Sequence, residues 1–213
     1  MSKQILVFGD SIAYGAWDEA GGWVERLKIF TNNKSIESNL EFYCAVYNLA
    51  IDGDTTEDLL NRADFEIRQR AHGEETIIVF AIGSNDSEVI GPNNTPKVSP
   101  EKFSQNIKEL ISVSQRYSAK IIFTGLLPVD QSKVDPIPWA PDRSYKNDSI
   151  KEYSDIIRSV CLENKIDFVG LFELFEKIDY KSFLEDGVHP NSKGHNMIFG
   201  IVYDHLMRKK IIY

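Results

Sequence analysis

The stretch Ile5-Leu6-Val7-Phe8-Gly9-Asp10-Ser11-Ile12 decides the reading of this chain: a short apolar run halts at Gly-Asp-Ser and a helical pattern follows. A run of this length, rich in Ile, Val and Phe, reads as a strand covered on both faces. Ile77 to Ile82, Ile121 to Leu127 and Phe168 to Phe172 repeat the pattern, and Phe42 to Leu49 is a more mixed fifth run. Amphipathic stretches lie between them, and the spacing predicts helices over Gly22 to Thr31, Thr55 to Arg70, Pro100 to Tyr117, Ser144 to Glu163 and Ser192 to Arg208. Ser99 is the expected N-cap of the third, with Pro100 at its first helical position. Strand and helix alternate throughout. With right-handed crossovers this predicts an α/β fold, a three-layer α/β/α sandwich around a mainly parallel five-stranded sheet. No repeat or low-complexity linker interrupts it, so one domain is expected over residues 1–213. Two long loops are expected, Gly91 to Ser99 and Pro128 to Asp142.

In such a sheet, ligands bind at the C-terminal ends of the strands. The residues just past those ends are short, polar and rich in Gly and Asp: Gly9-Asp10-Ser11, Ala50 to Asp54, and Gly83-Ser84-Asn85-Asp86. The last strand leads to Asp186-Gly187-Val188-His189-Pro190. A serine at a strand-to-helix turn projects its hydroxyl into the crevice, but a hydroxyl needs an adjacent base to act as a nucleophile. His189 can supply that base. Asp186, three residues earlier, can reach His189 Nδ1 through one tight turn and fix the tautomer. The Asn85 amide, the Gly53 N–H and the Ser11 N–H would make three donors for a developing oxyanion. Each residue has a plain structural reading of its own, as an N-cap or a turn former; the combination in one crevice is what points to chemistry.

These blocks together resemble the SGNH hydrolases, also called GDSL esterases and lipases. The carriers are Phe8-Gly9-Asp10-Ser11, Gly53, Gly83-Ser84-Asn85-Asp86 and Asp186-Gly187-Val188-His189-Pro190, and the likeness runs from Ile5 to about His195. Where the family has Gly-Asp-Ser-Leu, this chain has Gly-Asp-Ser-Ile. The resemblance implies a flavodoxin-like SGNH fold. It implies Ser11 as nucleophile, His189 as base, Asp186 as its partner, and Ser11, Gly53 and Asn85 as oxyanion hole. It implies two-step acyl transfer through an acyl-enzyme, with no metal or organic cofactor. Tyr14, Trp17 and Trp139 are the expected substrate-lining residues. The expected substrate is a small carboxylic ester, either a short-chain acyl ester or an O-acetylated carbohydrate.

Composition narrows the rivals. Asp and Glu number 32 against 24 Lys and Arg, a net charge of −8, and no basic run marks a nucleic-acid footprint. The one basic cluster, Arg208-Lys209-Lys210, suits a helix end. The acidic balance opposes docking on anionic lipid. No 18-residue apolar stretch exists, and the first apolar run is too short for a signal peptide, so a cytoplasmic protein is expected. Cys44 and Cys161 are expected as buried free thiols. A common α/β-hydrolase would carry its serine in a mid-sheet Gly-x-Ser-x-Gly elbow. A haloacid-dehalogenase-like phosphatase is the rival that Asp52-Gly53-Asp54-Thr55-Thr56 and Thr124 suggest, although its nucleophile belongs on the first strand. A metallophosphoesterase using Asp10, Asn85 and His189 lacks any Asp-x-His pair. A non-catalytic ligand-binding module on the same fold is the remaining alternative.

Overall fold

The computed structural model describes residues 2–117 and 119–212. Five strands, β1 (Lys3–Gly9), β2 (Cys44–Asn48), β3 (Glu75–Ala81), β6 (Lys120–Thr124) and β8 (Asp167–Val169), form one parallel sheet in the order β2-β1-β3-β6-β8. The helices are α1 (Ser11–Tyr14), α2 (Gly22–Glu37), α3 (Thr56–Arg68), α4 (Pro100–Gln115), α5 (Gln131–Val134), α6 (Asn147–Asn164), α7 (Phe172–Glu176) and α8 (Ser192–Arg208). This is the expected sandwich with a five-stranded parallel sheet.

Side-chain alternation divides the core into two layers. Leu6, Phe8, Ile78 and Phe80 face a layer closed by Leu59, Ala63 and Ile67 of α3, Phe103 and Ile107 of α4, and Tyr153 and Ile157 of α6. Ile5, Val7, Ile77 and Val79 face the opposite layer, closed by Trp23 and Leu27 of α2 and by Ile198 and Val202 of α8. Both faces of β1 and β3 are thus dry, which is why their sequences read as continuous apolar runs rather than alternating ones. The register sets Phe8 opposite Phe80 and Phe80 opposite Phe123. Their rings form a row with centroids 5.6 and 4.8 Å apart, one row of buried aromatics across the three middle strands just below the site.

The helix starts follow side-chain capping. Ser99 Oγ accepts from Lys102 N as α4 begins with Pro100, as expected. Thr55 caps α3 in a reciprocal capping box with Asp58. The expected helix over Ser144 to Glu163 begins instead at Asn147. Its first residues are taken by a short strand, β7 (Arg143–Ser144), which with β4 (Val89–Ile90) and β5 (Thr95–Pro96) makes a separate three-stranded antiparallel sheet. The two expected long loops are therefore partly structured. β5 lies within the first, and α5 within the second. The expected strand over Phe168 to Phe172 ends at Val169, because Phe172 already opens α7. Two-residue strands carry too little pattern to be seen in sequence. Cys44 and Cys161 are buried and free, and burial pushes both thiols up to about 12.

Candidate active site

β1 delivers Ser11 to the first turn of α1. Asp10 caps that turn, its Oδ1 accepting from Ile12 N at 3.0 Å. The loop before α8 delivers His189. It is closed by Glu185 N donating to His189 O at 2.8 Å and tied to the residue before α5 by Asp130 N donating to Gly187 O at 2.8 Å. Gly187 sits at φ +103°, and a Cβ there would lie 2.9 Å from Lys133 Cβ, so the turn that returns His189 toward Asp186 requires glycine.

The side chains meet. His189 Nε2 lies 2.9 Å from Ser11 Oγ, and His189 Nδ1 lies 2.7 Å from Asp186 Oδ2. Asp186 Oδ1 accepts from Val188 N and His189 N, each at 2.9 Å. Burial raises the Asp186 carboxyl, but the His189 ring and these backbone donors outweigh it and hold the group well below the usual carboxylate range. A charged Asp186 takes the Nδ1–H, which leaves Nε2 as the acceptor facing the Ser11 hydroxyl. Ser11 is buried, whereas His189 and Asp186 are half-buried at the rim.

β3 delivers Asn85, whose Nδ2 donates to Asp54 O at 3.0 Å. Its Oδ1 accepts from Tyr145 Oη at 2.8 Å. Gly53 is exposed with φ +79°, and a Cβ built on it meets nothing within 4 Å. Its glycine therefore serves the left-handed turn and keeps the backbone open to approach. That loop lies against the end of β1 through Ile51 N donating to Gly9 O at 3.0 Å. Asp86 is fully buried and binds Thr56, accepting from its N–H at 3.0 and 3.1 Å and from its hydroxyl. Desolvation pushes Asp86 up to about 6.

The three expected lining residues stand differently. Tyr14 and Trp17 are exposed on α1 and just beyond it, and Ile51 is exposed on the loop after β2. The Trp17 indole N–H is already engaged: Nε1 lies 3.0 Å from Asp186 Oδ2 and 3.1 Å from His189 Nδ1. Since Nδ1 must carry its own proton to serve Asp186, the acceptor of the indole N–H is the carboxylate. Trp17 also holds φ +64°, a conformation that a bulky residue adopts only under constraint. Trp139 stands exposed at the tip of the turn bridged by Ile137 and Ala140. Below the site, Asp10 and Ile12 line a cavity of about 20 Å³ with Ser84, Thr124 and Leu126. That is room for about one water.

The phosphatase rival loses its geometry here. Asp54 turns its carboxylate onto Arg62, with Nε at 3.0 Å, and Asp52 is exposed. Both follow the edge strand β2 rather than the centre of the sheet. Three residues of the network escaped sequence reasoning: Trp17 as a donor to Asp186, Thr56 as the partner of Asp86, and Tyr145 as the partner of Asn85. Each acts through a contact distant in sequence, which local pattern does not carry.

The model of the GDSL-like lipase/acylhydrolase family matches residues 7–197. This chain belongs to that family. It is accordingly a carboxylic ester hydrolase. It is similar to GDSL esterase/lipase CPRD49 of Arabidopsis thaliana, 27% identical with 92% of this chain and 76% of the relative covered. The isoamyl acetate-hydrolyzing esterase of Saccharomyces cerevisiae is 26% identical, with coverage of 97% and 85%. Among solved structures, a lipase/acylhydrolase from Enterococcus faecalis superposes with a TM-score of 0.75 at 23% identity over 98% of this chain and 97% of that one, a likeness of fold. Among the described residues, no helix of this GDSL-like hydrolase is long and apolar enough to cross a membrane.

Proposed function

We propose that the protein is a single-domain, cofactor-independent serine esterase of small carboxylic esters, short-chain acyl esters or O-acetylated carbohydrates, that works through Ser11, His189 and Asp186. The observation that carries this is the placement of His189, with Nε2 on Ser11 Oγ and Nδ1 on Asp186. His189 takes the Ser11 proton as Oγ adds to the ester carbonyl. The oxyanion forms against the Ser11 and Gly53 N–H groups and the Asn85 amide. The collapsing intermediate expels the alcohol, which takes the proton from His189. Water, deprotonated by His189, then attacks the acyl-Ser11 ester and frees the acid.

The name of the yeast relative, an acetate ester hydrolase, supports a short acyl group. Longer parts of a substrate would lie along the exposed rim of Tyr14, Trp17 and Ile51, with Trp139 at the outer loop. The free buried thiols suit a reducing, cytoplasmic compartment. The test is a p-nitrophenyl ester series, acetyl through palmitoyl, with EDTA present, on wild type and Ser11→Ala. The expected result is EDTA-insensitive release, fastest for acetyl or butyryl, that falls on the order of 10³–10⁶ in Ser11→Ala. Wild-type rates in Ser11→Ala overturn the assignment. Turnover confined to long-chain esters overturns the substrate class.

A further inference from the structure

An amide side chain that stabilises an oxyanion must present its NH₂, and nothing in the amide itself prevents a flip that presents its oxygen instead. In this chain the flip is set by an acceptor and a donor on opposite sides of the amide, the Asp54 carbonyl and the Tyr145 hydroxyl. We propose that Tyr145 is a positioning residue that holds Asn85 with its NH₂ toward the reacting carbonyl, and that the three-stranded accessory sheet exists to mount it. This rests on the reading of Asn85 as an oxyanion donor.

Tyr145 Oη lies 2.8 Å from Asn85 Oδ1, and both residues are buried. Burial drives the phenol far above its ordinary range, so it remains a hydrogen-bond donor at any working pH. A neutral phenol can also accept, so it donates to the amide oxygen because the Asp54 carbonyl claims the NH₂ side. On the other side, the Asp54 carbonyl can only accept, and takes one of the two Nδ2 hydrogens at 3.0 Å. Donor and acceptor together fix the amide in one orientation and leave one N–H for a ligand oxygen.

The mount is built from separate parts of the chain. Tyr145 directly follows β7, which pairs with β4 at Val89–Ser144 and Ile90–Arg143. Its own N–H donates to Val134 O at 3.0 Å, so α5 holds the backbone from the other side. The buried Glu88, just before β4, pairs with Lys97, just after β5, at 3.7 Å and with Arg143 of β7 at 3.6 Å. Asn85 lies three residues before Glu88, on the segment that leads into this sheet. The segment between α5 and α6 is thus fastened to the same short stretch whose side chain it orients.

The test is a double-variant cycle on p-nitrophenyl acetate hydrolysis, with Ser11→Ala in parallel. Tyr145→Phe keeps the ring and removes the hydroxyl. It is expected to lower kcat about 10-fold, roughly one hydrogen bond to the amide, with KM unchanged. In an Asn85→Ala background, Tyr145→Phe is expected to change kcat less than 2-fold, since no amide remains to be held. This second comparison stands even where Tyr145→Phe loosens the fold, because loosening would persist in both backgrounds. Multiplying losses, a change in KM alone, or unchanged kcat in Tyr145→Phe, beside an inactive Ser11→Ala, would overturn this role for Tyr145 and leave the esterase reading intact. An active Ser11→Ala would overturn both.

Discussion

Asp186 and Asp10 both lie close enough to His189 to sense its charge, yet the fold sends their carboxyls in opposite directions. Asp186 receives four N–H donors: the backbone amides of Val188 and His189, the imidazole Nδ1 and the Trp17 indole. Asp10, 2% exposed, receives the Ile12 N–H, and burial pushes it up to about 7 against the pull of His189, helped by the nearby Asp86. The charged form is held where donors converge and opposed where they do not. A carboxylate at the half-open rim can therefore be a firmer anion than one in the interior. The contrast agrees with the geometry that proposes Asp186, rather than Asp10, as the partner of His189, whose Nδ1 lies 2.7 Å from Asp186 Oδ2.

The largest effect should come from removing the anion of Asp186. In Asp186→Asn an amide faces His189 Nδ1, and its NH₂ favours the tautomer with the proton on Nε2, pointing at Ser11. The kcat is expected to fall on the order of 10⁴, with the fold retained by circular dichroism. A loss under 10-fold would mean that the carboxylate does not set the imidazole. Next is the oxyanion side: Asn85→Ala is expected to cost about 10²–10³ in kcat with little change in KM. Steady-state kinetics on p-nitrophenyl acetate measures both.

Asp10 gives the third prediction, and its sign is opposite. An unfolded aspartate is charged above pH ~4, whereas the folded one gains its charge only near pH 7. Between these values the folded protein holds one more proton, so stability falls as pH rises across that window and stays lowered above it. Asp10→Asn keeps an oxygen for the Ile12 N–H and removes the titration. At pH 8 it is expected to be more stable than wild type by at most roughly 4 kcal/mol, with the gap closing toward pH 4. Urea unfolding at the two pH values reads this directly, and an equal gap at both would break the comparison.

The contrast also marks how much the sequence carries. Asp186 and His189 are three residues apart, and a single tight turn ending in Pro190 closes their contact, so local pattern reaches it. The parallel sheet is legible for the same reason: Ile5 to Phe8 and Ile77 to Ile82 are apolar at every position because helices cover both faces. The support around these residues is not local. Thr56 reaches Asp86 across 30 residues, Tyr145 reaches Asn85 across 60, and Trp17 reaches Asp186 across 169. Nothing in Trp17-Asp18 announces such a contact, and an aromatic near a serine reads as pocket lining. Strands of two residues, such as β4 and β5, fall below any periodicity.

Trp17 supplies the finest test. Its indole gives Asp186 a donor from outside the 186–189 turn, and it does so from a side chain 67% exposed, where water can take its place. Trp17→Phe keeps an apolar ring at the rim and removes the N–H. Water then competes for Asp186 Oδ2, and the net loss is about 1 kcal/mol, a roughly 5-fold fall in kcat. Trp17→Gly also removes the ring but relieves the backbone, since φ +64° suits glycine. The two should therefore separate: Trp17→Gly at least as thermally stable as wild type, both variants impaired in kcat, and KM for longer esters raised in Trp17→Gly alone. A Trp17→Phe enzyme with unchanged kcat and raised KM would return the residue to pocket lining and leave Asp186 dependent on its own turn.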